Sequence, residues 1–386
     1  MLILVSSMPP LFQTLADLVR INSVNPAYEG GKGERGVATW VRCFFEARGI
    51  EVWEDEVFPG RPNVLARLPG RDPSRRIILE AHMDTVSVKG MTIPPFEPLV
   101  EGGRMYGRGS CDTKAGLAAM MHALAALKEE GLTPPCEVVL AAVVDEEFSY
   151  RGVVKLCEGI RADAAIVAEP TELRAVIATK GVLRCRIATT GKAAHSSKPH
   201  LGVNAITQMA RVVLALEEHH ERMATDSHSL VGCGTCNVGV ISGGVQVNFV
   251  PDRCEIEIDR RLLPGERAED AILHYQRLLS ELGTVYPFLR VQLEEPALLV
   301  DEALDTPADA AVAQVAASVL GELGLNAELC GVPFGCDASK LSRAGVPSLV
   351  FGPGSIDRAH GAVEYVELDQ VEQALEFHRR FLLGFP

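Results

Sequence analysis

The chain has 386 residues, 47% of them hydrophobic and 23% charged, and a formal net charge of −14 at pH 7. That length accommodates two domains with substantial cores, and the acidic balance argues against nucleic acid or an anionic membrane surface as main partners. It leaves the substrate open, because bound metal ions make a pocket locally positive inside an acidic protein. The opening Met1-Leu2-Ile3-Leu4-Val5 is too short for a signal-peptide core and lacks a basic flank. No apolar run approaches membrane-spanning length, so a cytoplasmic protein is expected. Val37, Trp40, Val41, Phe44 and Phe45 follow helical spacing, ending near Gly49. A strand-like run from Ile77 to Ala81 comes next, then a helix from Thr113 to Glu130, stopped by Gly131 and Pro134-Pro135. Val138 to Val144 and Ala164 to Ala168 read as buried strands. The alternation predicts an α/β fold with a mostly parallel sheet covered by helices.

From Lys180-Gly181 the pattern changes. Val182 to Thr190 reads as a strand, and Ala205 to Glu218 as a helix with Asn204 as its N-cap. Thr235 to Ser242 and Cys254 to Leu262 read as strands, Glu266 to Leu282 as a helix, and Phe288 to Leu293 as a last strand. The order is βαββαβ, a small ferredoxin-like antiparallel sheet with two helices. After about Pro296 the α/β pattern returns, with a helix from Thr306 to Leu323, a strand from Ser348 to Phe351 and a closing helix from Glu367. The simplest account is one α/β domain, residues 1–180 and 296–386, interrupted by a module at 181–295 of ~110 residues, a normal small-domain size.

The 10 cysteines do not form a disulfide framework. Most sit in apolar contexts, where free cysteine behaves as a small hydrophobe. Cys233-Gly234-Thr235-Cys236 has CxxC spacing but no second pair, and reads as two thiols near a strand start. Nothing beside Cys111 would activate a thiolate.

Five polar motifs carry the chemistry, and most follow a buried run: His82-Met83-Asp84, Asp112, Glu146-Glu147, Glu169-Pro170 and His360. Polar strand endings of this kind mark the edge of an open α/β sheet where ligands bind. His82 and Asp84 are two apart and point to one side; His82 reads as a metal ligand and Asp84 as the carboxylate that orients it. Asp112 has two oxygens, enough to bridge two cations, although a helix N-cap is its rival. Adjacent carboxylates such as Glu146-Glu147 repel unless compensated; one could bind metal while the other handles a proton. Taken singly, each motif competes with a cap, a turn or a solvated charge. Together they supply a mixed nitrogen and oxygen set that suits zinc, cobalt or manganese better than calcium.

This order of motifs resembles the dinuclear zinc M20 metallopeptidase and deacylase family, most closely its acetylornithine deacetylase branch, over nearly the whole chain. The resemblance rests on Ala81-His82-Met83-Asp84, Gly107 to Asp112 with Lys114, Asp145-Glu146-Glu147, Glu169-Pro170-Thr171, His195-Ser196-Ser197, Gly202 to Ile206, Arg261 to Gly265, and Gly352 to Ser355 through His360. It implies a bridging Asp112, one metal site completed by His82 and Glu169, a second by Glu147 and His360, and Glu146 as general base. It also implies a cis peptide at Asp112-Thr113, and an inserted module that serves as lid and dimerisation domain of a homodimer. His195 would reach the active site of a second subunit and stabilise the oxyanion, while Asn248 and Arg261 would contact the carboxylate end of the substrate.

The expected reaction is hydrolysis of an N-acylated amino acid, preferably N-acetylornithine, at two divalent metals, zinc first. Alternatives are succinyl-diaminopimelate desuccinylase, aminoacylase, or dipeptidase and carboxypeptidase. A non-catalytic small-molecule binding protein is a remote one. Three places depart from the family pattern: Phe148-Ser149-Tyr150 after the paired glutamates, Gly361-Ala362-Val363 after the last histidine, although Glu364 keeps its place, and Gly335 to Ser339, which lacks the Ser-Asp-Gly-Arg expected of desuccinylases.

Overall fold

Apolar runs flanked by helices build the sheet of the larger of two units. In the computed structural model, which describes residues 8–386, the chain divides into residues up to Ile177 with Thr306–Cys330 and Cys336–Pro386, and a second unit of Ala178–Asp305 with Gly331–Gly335. The apolar opening run lies outside the described residues. No helix among those described is long and apolar enough to cross a membrane.

At the centre of the larger unit, strand Asp72–His82 pairs in parallel with Cys136–Val143 on one side and with Ala164–Val167 on the other. Ser348–Val350 adds a further parallel neighbour to Ala164–Val167. Cys136–Val143 is buried at every position, which is why from Val138 onward it reads as a continuous apolar run rather than an alternating one. Outward from it the pairing turns antiparallel through Arg61–Leu68 and Glu51–Phe58. The sheet is therefore mixed, with parallel pairing confined to its middle. The outer hairpin escapes the sequence pattern because Glu51, Glu54, Asp55 and Glu56 break up its apolar residues. Helices Pro10–Arg20, Arg35–Glu46, Lys114–Glu129, Ala311–Glu322 and Leu368–Gly384 belong to the same unit. Phe351, after the last parallel strand, stacks on Phe377 of the final helix with ring centroids 3.8 Å apart. Each fully buried side chain of this size contributes roughly 1.5–3 kcal/mol of transfer free energy. Four mutually parallel strands end on one edge, and the residues beyond those ends are His82, Asp145 to Glu147, Glu169 and the approach to His360.

In the second unit four strands pair antiparallel in the order Thr235–Gly243, Arg253–Leu262, Gly181–Thr190, Val291–Asp301. Burial alternates residue by residue along Arg253–Leu262, so one face of the sheet is dry. That face packs Ile256, Ile258, Leu183 and Ile187 against Met209 and Val212 of helix Ala205–Met223 and Tyr275 and Leu279 of helix Ala268–Val285. Asn204 caps the first helix, its side chain accepting from the Thr207 amide at 3.0 Å. The unit continues past the expected end at Glu295, to Asp305. Its last strand shifts register between Glu294 and Leu299 around Pro296, then resumes pairing as far as Asp301 opposite Val182. All ten cysteines are free thiols.

Candidate metal centre

Strand Asp72–His82 delivers His82 to the sheet edge almost wholly buried. Its Nδ1 lies 3.0 Å from the backbone oxygen of Asp84, a contact that places the ring proton on Nδ1 and leaves the Nε2 lone pair for a cation. Nε2 in turn lies 3.1 Å from Asp112 Oδ1 and 3.9 Å from Glu169 Oε1. Asp112 leaves a glycine-rich turn just before helix Lys114–Glu129, and its bond to Thr113 is cis. In that turn Gly109 has φ +80°, and a Cβ there would lie 2.9 Å from Thr85 Cγ2. Only glycine fits both demands. The second Asp112 oxygen, Oδ2, lies 3.2 Å from His360 Nε2, and Glu147 Oε1 lies 3.2 Å from the same nitrogen. Two ligand groups result, His82–Asp112–Glu169 and Asp112–Glu147–His360, each with donor atoms within 4.8 Å of one another. Asp112 belongs to both.

Burial sets the electrostatics. It pushes the carboxyls of Glu146 and Glu169 well above the ordinary carboxylate range and raises Glu147 as well. Burial also works against Asp112, but hydrogen bonds with His360 and His82 hold its carboxyl below the usual value. The His360 imidazole is raised to about 11 by its bonds to Asp112 and Glu147, against burial. Four carboxyl groups thus face a buried and a half-exposed imidazole, and divalent cations would take the place of the protons that burial favours on the glutamates. Mixed imidazole nitrogen and carboxylate oxygen donors converging on two points fit divalent transition metals.

One expected contact is corrected. The Asp84 carboxylate stands 3.7 Å from His82 Nδ1, while the Asp84 main-chain oxygen makes the closer bond. The carboxylate instead accepts from the amides of Glu146 and Glu147, both at 3.1 Å, and from Asn25 Nδ2 at 2.8 Å. Asp84 therefore fixes the turn that carries the two glutamates. The residues behind that turn left no sequence signal. Asn25 also donates to Asp145 Oδ1 at 2.9 Å, and Arg61 donates to Asp145 at 3.0 Å and to both Glu34 oxygens at 2.6 Å. Tyr28 donates to the Glu147 carbonyl at 2.8 Å and meets the exposed Phe148 ring edge-on.

The remaining candidates belong to the second unit. His195 sits exposed on the short strand Ala194–His195, opposite Phe249. Its Nδ1 accepts from the Ser197 amide at 3.1 Å. Asn248 is brought close by its main-chain oxygen, which accepts from the Ser196 amide at 3.0 Å. Arg261 lies on another strand, Arg253–Leu262, with Nε donating to Asp259 at 2.7 Å.

A sequence model of peptidase family M20/M25/M40 matches residues 78–384. An acetylornithine deacetylase from Myxococcus xanthus is 32% identical over 95% of this chain and 94% of its own. An N-formyl-4-amino-5-aminomethyl-2-methylpyrimidine deformylase from Bacillus subtilis is 25% identical over 92% of this chain and 90% of its own. Among solved structures, a tripeptidase from Staphylococcus aureus superposes with a TM-score of 0.79 at 24% identity, covering 96% of both chains. A dinuclear metal-binding M20 peptidase from Bacillus subtilis does so with a TM-score of 0.74 at 16% identity, covering 97% of this chain and 98% of the other. With the family model spanning both ligand groups and the deacetylase relative aligned nearly end to end, the chain belongs to peptidase family M20/M25/M40 and is a metal-dependent hydrolase of amide bonds.

Proposed function

We propose that the protein is a two-metal deacylase of N-acylated amino acids, with N-acetylornithine, cleaved to ornithine and acetate, as preferred substrate. The observation that carries the reading is Asp112, which turns one oxygen to His82 and the other to His360. His82, Asp112 and Glu169 would hold one ion, and Asp112, Glu147 and His360 the other. Zinc suits the donors best, with cobalt or manganese as alternatives. When bound, a pair of divalent ions supplies Lewis acidity at the scissile carbonyl and lowers the pKa of water. Glu146 is adjacent to Glu147 yet belongs to neither ligand group, which suits it to take the proton from water and deliver it to the leaving amine.

His195 supports an oxyanion role. With Nδ1 accepting from Ser197, the neutral ring carries its proton on Nε2 and can donate it. Asn248 next to it, and Arg261 with less freedom because of Asp259, are the proposed contacts for the substrate carboxylate. We assign the second unit as lid and dimerisation domain. Its edge strand Thr235–Gly243 exposes Val240 and Ile241, and an apolar edge of this kind is what a second copy covers. Ten free thiols fit a reducing, cytoplasmic setting.

One observation favours a second reading: the exposed Phe148 leaning on Tyr28 beside Glu147 would stack a flat ring, as a formylated aminopyrimidine offers. A panel of N-acetylornithine, succinyl-diaminopimelate, the formyl-aminopyrimidine and dipeptides, run on zinc- and cobalt-loaded protein, separates the readings. Highest kcat/KM on N-acetylornithine is expected. Activity confined to dipeptides refutes the deacylase assignment.

A further inference from the structure

The glycine-rich turn and the segment that follows His360 are tied together at one buried ion pair. Glu364 is fully buried, and its Oε2 lies 2.6 Å from Arg108 Nη1. Its Oε1 accepts from two successive amides, those of Cys111 at 3.0 Å and Asp112 at 3.1 Å. Arg108 also donates through Nη2 to the carbonyls of Ser87 at 3.0 Å and Gly361 at 3.5 Å. The Gly107 amide closes the loop on the Glu364 carbonyl at 3.1 Å.

The two ligand groups differ in how else they are held. His82 is fixed by its strand, with the ring 2% exposed, and the chain leading to Glu169 is bound to that strand where the Ala168 amide donates to Glu80 at 2.9 Å. His360 comes from a loop after the short turn Ile356–Arg358, and its side chain is 51% exposed. Asp112 serves both groups, but only the group containing His360 draws two of its three ligands from segments strapped by Glu364.

We infer that Glu364 is a positioning residue for the Asp112–Glu147–His360 site: its carboxylate oxygen on the 111–112 amides sets the direction of the shared aspartate and, with Arg108, the course of the His360 loop. The inference rests on the two-metal reading above. Loss of this acceptor weakens the site with His360 much more than the site with His82. Outer partners of metal ligands are generally worth about 10–100-fold in affinity.

The test compares two variants that both lack the buried charge pair, a replacement that is often neutral for stability. Arg108→Met/Glu364→Gln keeps an amide oxygen for the two N–H groups; Arg108→Met/Glu364→Met removes it. Metal-free protein is titrated with cobalt(II) and followed by calorimetry and visible absorption, with no substrate present. Wild type should take up two equivalents. The Gln variant should stay within a few-fold of wild type in both steps, and the Met variant should lose about tenfold or more in one step and much less in the other. Should the Met variant fail to fold, Glu364→Asp, which withdraws the carboxylate while keeping its charge, carries the same expectation. Equal affinities in the Gln and Met variants, or equal loss in both steps, overturn the inference. A wild type that binds one equivalent removes the second site itself, and so rejects the two-metal reading separately.

Discussion

The two units present their candidate residues in different ways. In the larger unit the ligand groups are complete: every donor lies at the end of a buried strand or on a turn strapped by hydrogen bonds, and the two imidazoles already contact their carboxylates. In the inserted unit His195 stands exposed on a two-residue strand and Asn248 on a short connection, and Arg261 spends its guanidinium on Asp259. Metal holding demands fixed donors within fractions of an ångström, which sheet ends provide; substrate recognition tolerates, and often uses, mobile loops. The contrast predicts that substitutions in the larger unit act through chemistry, metal content or the stability of the turns that hold the donors, and those in the inserted unit through the transition state or substrate affinity.

Four outcomes would sharpen or break that contrast. Glu146→Gln should lose about 10²–10⁴-fold in kcat while its metal content, read by elemental analysis, matches wild type; near-normal turnover would remove Glu146 as base. His195→Ala should lose about 10²–10³-fold in kcat with unchanged metal and thermal midpoint. A rise confined to KM, with kcat retained, would make it a binding residue instead. Asn25→Ala deprives the buried Asp84 and Asp145 carboxylates of a donor, at a cost of about 1–3 kcal/mol in unfolding free energy, measured by denaturant titration at pH 7. An unchanged midpoint would show that the strap behind the glutamate turn is dispensable. Arg261→Ala should produce the smallest effect, a KM rise of about tenfold or less with kcat retained, because the residue already has Asp259 as partner. A larger loss in kcat than in KM would move Arg261 into the reaction.

How far the sequence carries depends on whether a residue's role is local. His82, Asp112, Glu147, Glu169 and His360 stand out because each follows an apolar run or a glycine-rich turn, and strand ends converge by topology. The βαββαβ order of the inserted unit was equally legible, since alternating burial along Arg253–Leu262 writes itself into alternating residue types. Asn25, Glu34 and Arg61 carry no such pattern, and for Arg108 and Glu364 the motifs give the place but not the buried role. They are polar residues whose burial is decided by partners far away in the chain, Asp145 for Asn25 and Cys111 for Glu364 among them. The Asp84 contact shows the same limit. Spacing placed its side chain beside His82, but the backbone oxygen took that bond and freed the carboxylate for the glutamate turn. The outer hairpin Glu51–Phe58 and Arg61–Leu68 was hidden because its charged residues pair with one another across a half-exposed edge, as Arg67 does with Glu51.

The most direct test of a centre built on one shared carboxylate is metal stoichiometry across three single variants. Wild type should hold two equivalents, His360→Ala and Glu169→Ala about one each, and Asp112→Ala less than one. An Asp112→Ala protein that still holds two equivalents would contradict the shared-ligand centre.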